Sequence, residues 1–196
     1  MTSTLTTSGT WTQSDLPDLT GSTVIVTGGN SGIGFESARA FAARGAHVVL
    51  AVRDEKKGQD AAATIAGSTE VRRLDLADLA SVREFAASWT GDIRLLINNA
   101  GVMVPPLTRT VDGFELQFGT NHLGHFALSN LLLPQITGRV VTVASSVHRS
   151  GRIDFDDLNF TSRRYGGGSA GYAQSKLANL LFTLELQRRL TEAGSS

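Results

Sequence analysis

The feature that most constrains this chain is a glycine-rich turn between a short β-branched segment and a helical one. Residues 23–27 read Thr-Val-Ile-Val-Thr, which is typical of a buried strand, and residues 32–43 follow a helical pattern. Glycines in such a turn let backbone N–H groups at the start of the helix approach a pyrophosphate. We therefore predict that the turn binds a dinucleotide through Gly28, Asn30, Ser31, Gly32, Ile33 and Gly34.

Other chemistries also use glycine-rich turns, and the sequence excludes two of them. A P-loop requires Lys followed by Ser or Thr directly after its last glycine, and no such pair follows Gly34. A nucleophile elbow requires glycine two residues after its serine, where this chain has Ile33. A strand-to-helix turn that binds nothing is the alternative that the motif alone leaves open.

The same order of strand and helix repeats along the chain. Alternation at this spacing favours parallel strands joined by right-handed helical crossovers. We predict an α/β fold, a doubly wound parallel sheet of the Rossmann type with helices on both faces. The predicted strands are 23–27, 46–52, 70–74, 93–98 and 139–144, and the predicted helices are 32–43, 55–66, 79–89, 112–135 and 171–190.

The domain organisation predicted from the sequence is a tail followed by one domain. Residues 1–20 form the tail, because their start is rich in Ser and Thr and lacks a secretory signal, and residues 21–196 form a dinucleotide-binding domain. Apolar residues in 147–170 follow neither a helical nor a strand period, so we predict a long loop that acts as a binding or lid element. A doubly wound sheet continues with a further strand after the last helix, so we expect the carboxyl-terminal strands to be missing from a truncated chain.

The end of the second predicted strand carries the residue that would select the cofactor. Arg53 lies about 20 residues past the glycine turn, where a ribose-reading side chain is expected. A guanidinium there pairs with a 2′-phosphate and favours NADP, whereas an acidic group such as Asp54 favours NAD. Because Arg53 comes first, we predict NADP, with NAD and a merely solvated arginine as the alternatives.

Tyr172 and Lys176 are spaced i and i+4 on the last predicted helix, so both side chains project from one helix face. A cation close to a phenol favours the phenolate, which makes a tyrosine usable as an acid or base. The other tyrosine, Tyr165, has Ser169 four residues later and lacks such a cationic partner. The spacing indicates one acid–base pair, and a surface pair without function is the alternative.

Together these motifs resemble the short-chain dehydrogenase/reductase family, and the resemblance runs from about Gly21 to Gly194. The matching elements are the glycine turn, Asp75-Leu76, Asn98-Asn99-Ala100-Gly101, Asn121, Ser145-Ser146 and Tyr172-x-x-x-Lys176. The resemblance implies that Asp75 and Leu76 flank the adenine. It also implies that Asn99, Ala100 and Gly101 brace the sheet beside the cofactor.

The resemblance further implies a catalytic tetrad of Asn121, Ser146, Tyr172 and Lys176. Ser146, the second serine of its pair, would hydrogen-bond the substrate oxygen, and Tyr172 would donate a proton as hydride arrives from the nicotinamide. Lys176 would hold the nicotinamide ribose and stabilise the phenolate, and Asn121 would hold a water that relays protons. The alternatives are a buried amide or helix kink for Asn121 and a turn residue for Ser146.

Residues 143–148 and 175–182 look like the retinol-dehydrogenase and WW-domain-oxidoreductase branch of the family. That likeness implies a small, apolar carbonyl or alcohol as the substrate and NADP as the cofactor. Phe155, Phe160 and Tyr165 in the long loop either line a pocket or only fix the loop. By resemblance, a homodimer or tetramer forms through apolar residues of two helices: Phe114, Phe118, Phe126, Leu177, Leu180 and Leu184.

Composition excludes several classes of function. Lys plus Arg and Asp plus Glu number 18 each, so no net charge attracts nucleic acid. The absence of cysteine excludes thiolate chemistry, His122 and His125 lack a third ligand for a metal, and no apolar run is long enough to span a membrane. We expect a cytoplasmic protein. Two functions stay open: an NADP-dependent oxidoreductase and a non-catalytic dinucleotide-binding or scaffold domain.

Overall fold

The computed structural model describes residues 12–195, so most of the predicted tail (1–11) and Ser196 lie outside the described residues. A short 3₁₀-helix, Gln13–Asp15, comes first. Leu19 is buried in the core, and its N–H donates to the carbonyl of Arg44 at 2.8 Å. The packed part of the chain therefore begins slightly before residue 21.

Five parallel strands form one sheet in the order β3-β2-β1-β4-β5. They are β1 (Thr23–Thr27), β2 (His47–Val52), β3 (Ser68–Arg73), β4 (Ile93–Asn98) and β5 (Ile136–Thr142). The strand order reverses between β1 and β4, which is the topological switch point of a doubly wound sheet. The structure thus confirms the predicted Rossmann-type fold.

Helices connect the strands and cover the sheet. They are α1 (Gly32–Ala43), α2 (Glu55–Ala62), α3 (Leu79–Ala87), α4 (Leu116–Phe118), α5 (Gly124–Leu132) and α6 (Ser169–Glu192). The side chains of Asp54 and Asp78 accept backbone N–H bonds at the starts of α2 and α3. These caps explain why the two helices begin where the sequence predicts.

The core has two layers, one on each face of the sheet. Val24 and Val26 of β1 pack into one layer and Ile25 into the other, because successive side chains of a strand point to opposite faces. All three side chains are completely buried. β1 is therefore a central strand whose carboxyl end is rigidly placed next to that of β4.

The predicted helix 112–135 was wrong in its start and in its regularity. Gly113 has a φ of +86°, and the helix begins only at Leu116, after Glu115 accepts N–H bonds from Gln117 and Phe118. A π-helical turn, Gly119–Leu123, then separates α4 from α5, and a 3₁₀ turn, Leu133–Gln135, ends the segment. The π-turn carries Asn121 toward the interior.

Other boundaries differ by a few residues. α2 ends at Ala62 instead of residue 66, α3 ends two residues early, β3 spans 68–73, and β5 starts at Ile136 instead of residue 139. The predicted loop contains 3₁₀ turns at Ser146–Ser150 and Gly166–Gly168. Left-handed Gly167 and Gly168 end this loop, so α6 begins at Ser169, two residues before the predicted start.

Candidate active site

A cleft of about 510 Å³ opens at the carboxyl ends of the strands. Ligands of open α/β sheets bind outside this edge, at the switch point. The predicted site residues that line it are Gly28, Asn30, Ser31, Ile33, Arg53, Asp75, Leu76, Asn99, Ala100, Gly101, Tyr172 and Lys176. Four predicted residues lie outside the lining: Gly32, Gly34, Asn121 and Ser146.

The lining also includes residues that sequence reasoning did not single out. They are Ala51, Val52, Leu74, Ala77, Val102, Met103, Leu116, Thr120 and Val143. Most are apolar and follow or end a strand. The signal that would have found those beside a strand is their position at its carboxyl end, since all such ends meet at one edge of the sheet. Leu116 and Thr120 lie on α4 and the π-turn and carry no such signal.

The glycine turn fits a pyrophosphate. Gly32 has a φ of +55°, and a Cβ built there would project into open space, whereas a Cβ on Gly34 would lie 2.5 Å from the carbonyl oxygen of Gly28. Among the described residues, no side chain caps the N-terminus of α1, and its first turn carries no acidic residue. Its N–H groups and the positive end of the helix dipole are therefore free for an anion.

Arg53 and Asp54 have different roles at the end of β2. Arg53 is exposed and lines the cleft, whereas Asp54 does not. The Asp54 carboxylate accepts a bond from the backbone N–H of Lys57 at 3.1 Å, and this bond lowers the pKa of Asp54. The acidic side chain is thus used to cap α2, and the cation faces the cleft.

Asp75 and Leu76 lie where β3 ends. The Asp75 Oδ1 atom accepts a bond from the backbone N–H of Ala77 at 2.9 Å, which fixes this turn. Leu76 is buried, and its backbone crowds Gly124 at the start of α5. The turn therefore forms a rigid wall of the cleft.

A buried network behind the cleft was not predicted from the sequence. His125 Nδ1 lies 3.0 Å from the carbonyl oxygen of Asn121, which can only accept, so Nδ1 carries the proton and Nε2 accepts. Thr27 Oγ1 therefore donates to His125 Nε2 at 2.8 Å, and it accepts from the N–H groups of Asn99 and Ala100 at 2.9 and 3.0 Å. Burial lowers the pKa of His125 to about 4, so the imidazole is neutral near pH 7.

Asn121 is completely buried in the π-turn. Its Oδ1 atom accepts from the N–H of Val102 at 2.8 Å, and its Nδ2 atom donates to the Val102 carbonyl at 2.9 Å and to Ser175 Oγ at 3.1 Å. The side chain thus clamps the loop after β4 to α6. Its predicted role in holding a water stays a prediction.

Tyr172 and Lys176 both line the cleft from α6, as their spacing predicts. The Lys176 Nζ atom lies 5.6 Å from the centroid of the Tyr172 ring. It donates to the carbonyl of Val143, just after β5, at 3.0 Å, and burial lowers the pKa of Lys176. An ammonium has three N–H donors, so this bond fixes the head group and leaves donors for a ligand.

The serine pair lies after β5. Ser145 accepts a bond from the N–H of Val147 at 3.4 Å and so caps the 3₁₀ turn, while Ser146 is exposed within that turn. Ser146 is not among the residues that line the cleft. Its predicted contact with the substrate oxygen stays a prediction.

The aromatic residues of the long loop lie away from the cleft. Phe155 is 83% exposed, whereas Phe160 is buried and packs edge-on against Tyr165 with ring centroids 5.1 Å apart. Arg163 covers the Phe160 ring at 3.8 Å from its centroid and donates to Gln174. Phe160 and Tyr165 therefore fix the loop, the second of the two alternatives that the sequence left open.

The structure shows no metal centre or membrane span within residues 12–195. No group of three or more His, Asp or Glu side chains in this range could hold a metal ion. His122 instead faces Asn179, with 3.2 Å between Nδ1 and Oδ1, and burial lowers the pKa of His122. No helix in the same range is long and apolar enough to cross a bilayer.

Comparison with known proteins identifies the family. The family described as short chain dehydrogenase matches residues 22–156, which is more than half of the 196-residue chain. The chain belongs to the short-chain dehydrogenase family. The matched segment includes the glycine turn and the strands, and it ends before Tyr172 and Lys176.

The most similar relatives include retinol dehydrogenase 13 of Homo sapiens, which is 50% identical over 186 residues, 89% of this chain and 56% of that protein. The chain thus spans less than two thirds of that relative. A crystal structure of an uncharacterised protein from Mycobacterium paratuberculosis is 62% identical, with a TM-score of 0.91, over 94% of this chain and 68% of that one. A protein described as a short-chain dehydrogenase from Escherichia coli CFT073, complexed with NADPH, is 27% identical, with a TM-score of 0.69, over 89% of this chain and 74% of that one.

Proposed function

We propose that the chain forms the cofactor-binding and acid–base part of an oxidoreductase that interconverts a carbonyl and an alcohol. The observation that carries the proposal is that Tyr172 and Lys176 line the same cleft as the glycine turn. When bound, the nicotinamide dinucleotide supplies the hydride chemistry. The family membership supports the same function.

In this proposal the chain's own residues bind the reactants and move the proton. Tyr172 donates a proton to the substrate oxygen in the reducing direction and accepts it in the reverse direction. Lys176 holds the ribose hydroxyls and stabilises the phenolate. Ser146 donates a hydrogen bond to the substrate oxygen from the turn after β5, and Asn121 holds the relay water beside Lys176.

We propose NADP as the cofactor, with NAD as the alternative. The support is that Arg53 lines the cleft while Asp54 caps α2. A carboxylate in the cleft would repel a 2′-phosphate, and the cap removes it from that position. The complex of the Escherichia coli relative with NADPH agrees with this choice.

We propose a small apolar carbonyl compound or alcohol as the substrate. Val102, Met103 and Leu116 line the cleft together with Tyr172 and offer an apolar surface to such a molecule. The similarity to retinol dehydrogenase 13 supports an apolar substrate. We further propose a homodimer or tetramer, and the cytoplasmic location stays a prediction.

Replacement of Arg53 tests the cofactor and the activity together. We expect the wild type to consume NADPH with an apolar aldehyde. Arg53→Ala should raise the KM and Kd for NADPH by about 10- to 100-fold, because a charge-assisted bond is lost, and change those for NADH less than about 2-fold. Lys56→Ala is the control, because Lys56 is exposed on α2 and does not line the cleft. An equal loss for both cofactors would contradict the role of Arg53.

A dinucleotide-binding domain without turnover is the second candidate. The observation that favours it is the position of Ser146, which is exposed and outside the cleft lining. This candidate predicts that NADPH binds to the chain and is not consumed with any aldehyde or ketone. Consumption of NADPH that depends on the aldehyde would exclude it.

A further inference from the structure

A buried polar cluster lies beside the cleft and takes no part in the proposed chemistry. Glu115 and Gln117 are both 0% exposed. The Glu115 carboxylate accepts from the N–H groups of Gln117 and Phe118 at 2.9 and 2.7 Å and from the phenol of Tyr165 at 2.7 Å. Burying a carboxylate is costly unless it is hydrogen-bonded, and these three bonds offset that cost.

Gln117 extends this cluster in two directions. Its Nε2 atom donates to the Tyr165 hydroxyl at 2.6 Å and to the carbonyl of Gly168 at 2.8 Å, while its Oε1 atom accepts from the N–H of Val104 at 2.8 Å. The cluster thereby joins three segments: the loop after β4, the end of the long loop, and the start of α4.

The same cluster supports the first turn of α6. Gly168 directly precedes this helix with a φ of +95° and provides no side-chain cap. A Cβ on Gly171 would lie 2.8 Å from Gln117 Nε2 and 2.9 Å from the Tyr165 ring, so the helix backbone packs directly on the cluster. Tyr172 is the next residue of that turn.

The other end of the acid–base pair is held independently. Lys176 is fixed by its bond to the Val143 carbonyl at 3.0 Å, and Asn121 donates to Ser175 Oγ at 3.1 Å. The position of the Tyr172 phenol relative to the Lys176 ammonium therefore depends on how the first turn of α6 is supported. Among the described residues of the long loop, Arg163 and the Leu158 carbonyl bond Gln174 of α6, and the Gly168 carbonyl accepts from Gln117. Tyr165 is the loop side chain that bonds the Glu115 carboxylate under the first turn.

We infer that Tyr165 is a positioning residue: through its bond to Glu115 it holds the first turn of α6, and with it the Tyr172 phenol, in place for proton transfer. This inference rests on the proposed function. The phenol of Tyr165 is suited to a permanent donor role, because burial and the adjacent Glu115 carboxylate raise the pKa of Tyr165. The two tyrosines of the chain thus have separate tasks.

Two variants break the Tyr165–Glu115 bond from opposite sides. Tyr165→Phe removes only the hydroxyl. Glu115→Asp shortens the side chain by one methylene, and Asp remains a good acceptor for the helix N–H groups. Phe155→Ala is the control, because Phe155 lies in the same loop and is 83% exposed.

We expect each variant to lower kcat by about 10- to 100-fold, the effect of a small misplacement of a reacting group, with a KM for NADPH within about 2-fold of the wild type. The losses in kcat should not multiply in the double variant, because both changes remove the same bond between Tyr165 and Glu115. Hydrogen exchange should speed up by about 10-fold at amides 169–176 and stay unchanged at 180–190.

Unchanged kcat and exchange in both variants would overturn the inference. Losses in kcat that multiply in the double variant would also overturn it. The same holds if KM and kcat both change and hydrogen exchange speeds up along the whole of α6, because these effects indicate general damage to the fold. A wild type without turnover would refute the proposed function instead, and local exchange in the two variants would still decide whether Tyr165 holds the first turn of α6.

Discussion

At the scale of single residues, the hydroxyl of Thr27 determines how the carboxyl ends of β1 and β4 meet. Thr27 Oγ1 donates to His125 Nε2 at 2.8 Å, with the Ile97 carbonyl as a second, longer contact at 3.3 Å, and it accepts from the N–H groups of Asn99 and Ala100. A hydroxyl has one donor and two acceptor lone pairs, so its capacity is filled. The network works only while His125 Nε2 is an acceptor, which requires a neutral imidazole.

Stability should therefore depend on pH through His125. Its folded pKa, about 4, lies below the unfolded value near 6.5, so between these values the unfolded chain binds more protons. The contribution of His125 to the free energy of unfolding is fully present above about pH 6.5, and it is lost as the pH falls below this value. From pH 7 to pH 5 we expect a loss of about 2 kcal/mol from this group, measured by urea unfolding.

His125→Gln is the matched control for that measurement. It does not titrate, so its stability should fall by about 2 kcal/mol less between pH 7 and pH 5, although it is less stable at both. His122 lies half-buried in the preceding π-turn and its pKa is also lowered, so part of the wild-type slope persists in this variant. Identical pH slopes in the two proteins would contradict the assignment.

Single residues also show how far sequence reasoning reaches. Gly28, Arg53, Tyr172 and Lys176 line the cleft and could be predicted because each carries a local signal: a turn, a strand end or a helical spacing. The bond between Thr27 and His125 joins residues 98 positions apart, and no local pattern encodes it. His125 was interpreted from the sequence as a core or helix-surface histidine in preference to a metal ligand, and its contacts emerged from the packing of α5 on the sheet.

At the scale of secondary-structure elements, the five strands and the doubly wound parallel sheet followed from the repeating pattern, because each apolar run had to be covered on two faces. The segment around residues 112–123 could not be predicted in this way. Its apolar periodicity is helical throughout, but Gly113 has a positive φ and the π-turn allows Asn121 to reach Val102. Such irregularities depend on tertiary hydrogen bonds, and periodicity does not reveal them.

The structure of the long loop, too, could be predicted only in part from the sequence. The sequence predicted an irregular segment and left open whether its aromatic residues line a pocket or fix the loop. Phe160 and Tyr165 pack against each other, and Tyr165 contacts the buried Glu115, a residue 50 positions earlier. A buried carboxylate is not visible as such in a sequence, so the anchoring contact could not be predicted.

At the scale of the whole molecule, α5 and α6 present an apolar surface. Phe118, predicted for this face, is buried, but Phe126 and Leu184 are exposed, and Leu184 is 69% exposed. Phe126 and Phe182 lie with ring centroids 5.3 Å apart, so the apolar side chains of the two helices are contiguous. Contiguous exposed apolar area on a folded chain is typical of an interface.

We expect this surface to pair two copies of the chain. Sedimentation at micromolar concentration should show a dimer or tetramer, and Leu184→Asp should shift it to the monomer, because a charge would be buried at the interface. Glu185→Gln is a control on the same helix, since Glu185 lies on the exposed side with Arg188 and Arg189. A wild type that sediments as a monomer would contradict the proposal.

Folding of the whole molecule brings together the groups on which the function depends. The glycine turn, Tyr172 and Lys176 are far apart in the sequence and meet at one cleft beside the sheet. The most direct test is to compare Tyr172→Phe with the wild type, measuring the Kd for NADPH and the turnover of an apolar aldehyde. We predict a Kd within about 3-fold of the wild type and turnover lower by about 10²- to 10⁴-fold, because the proton donor is removed. Turnover close to that of the wild type would contradict the account.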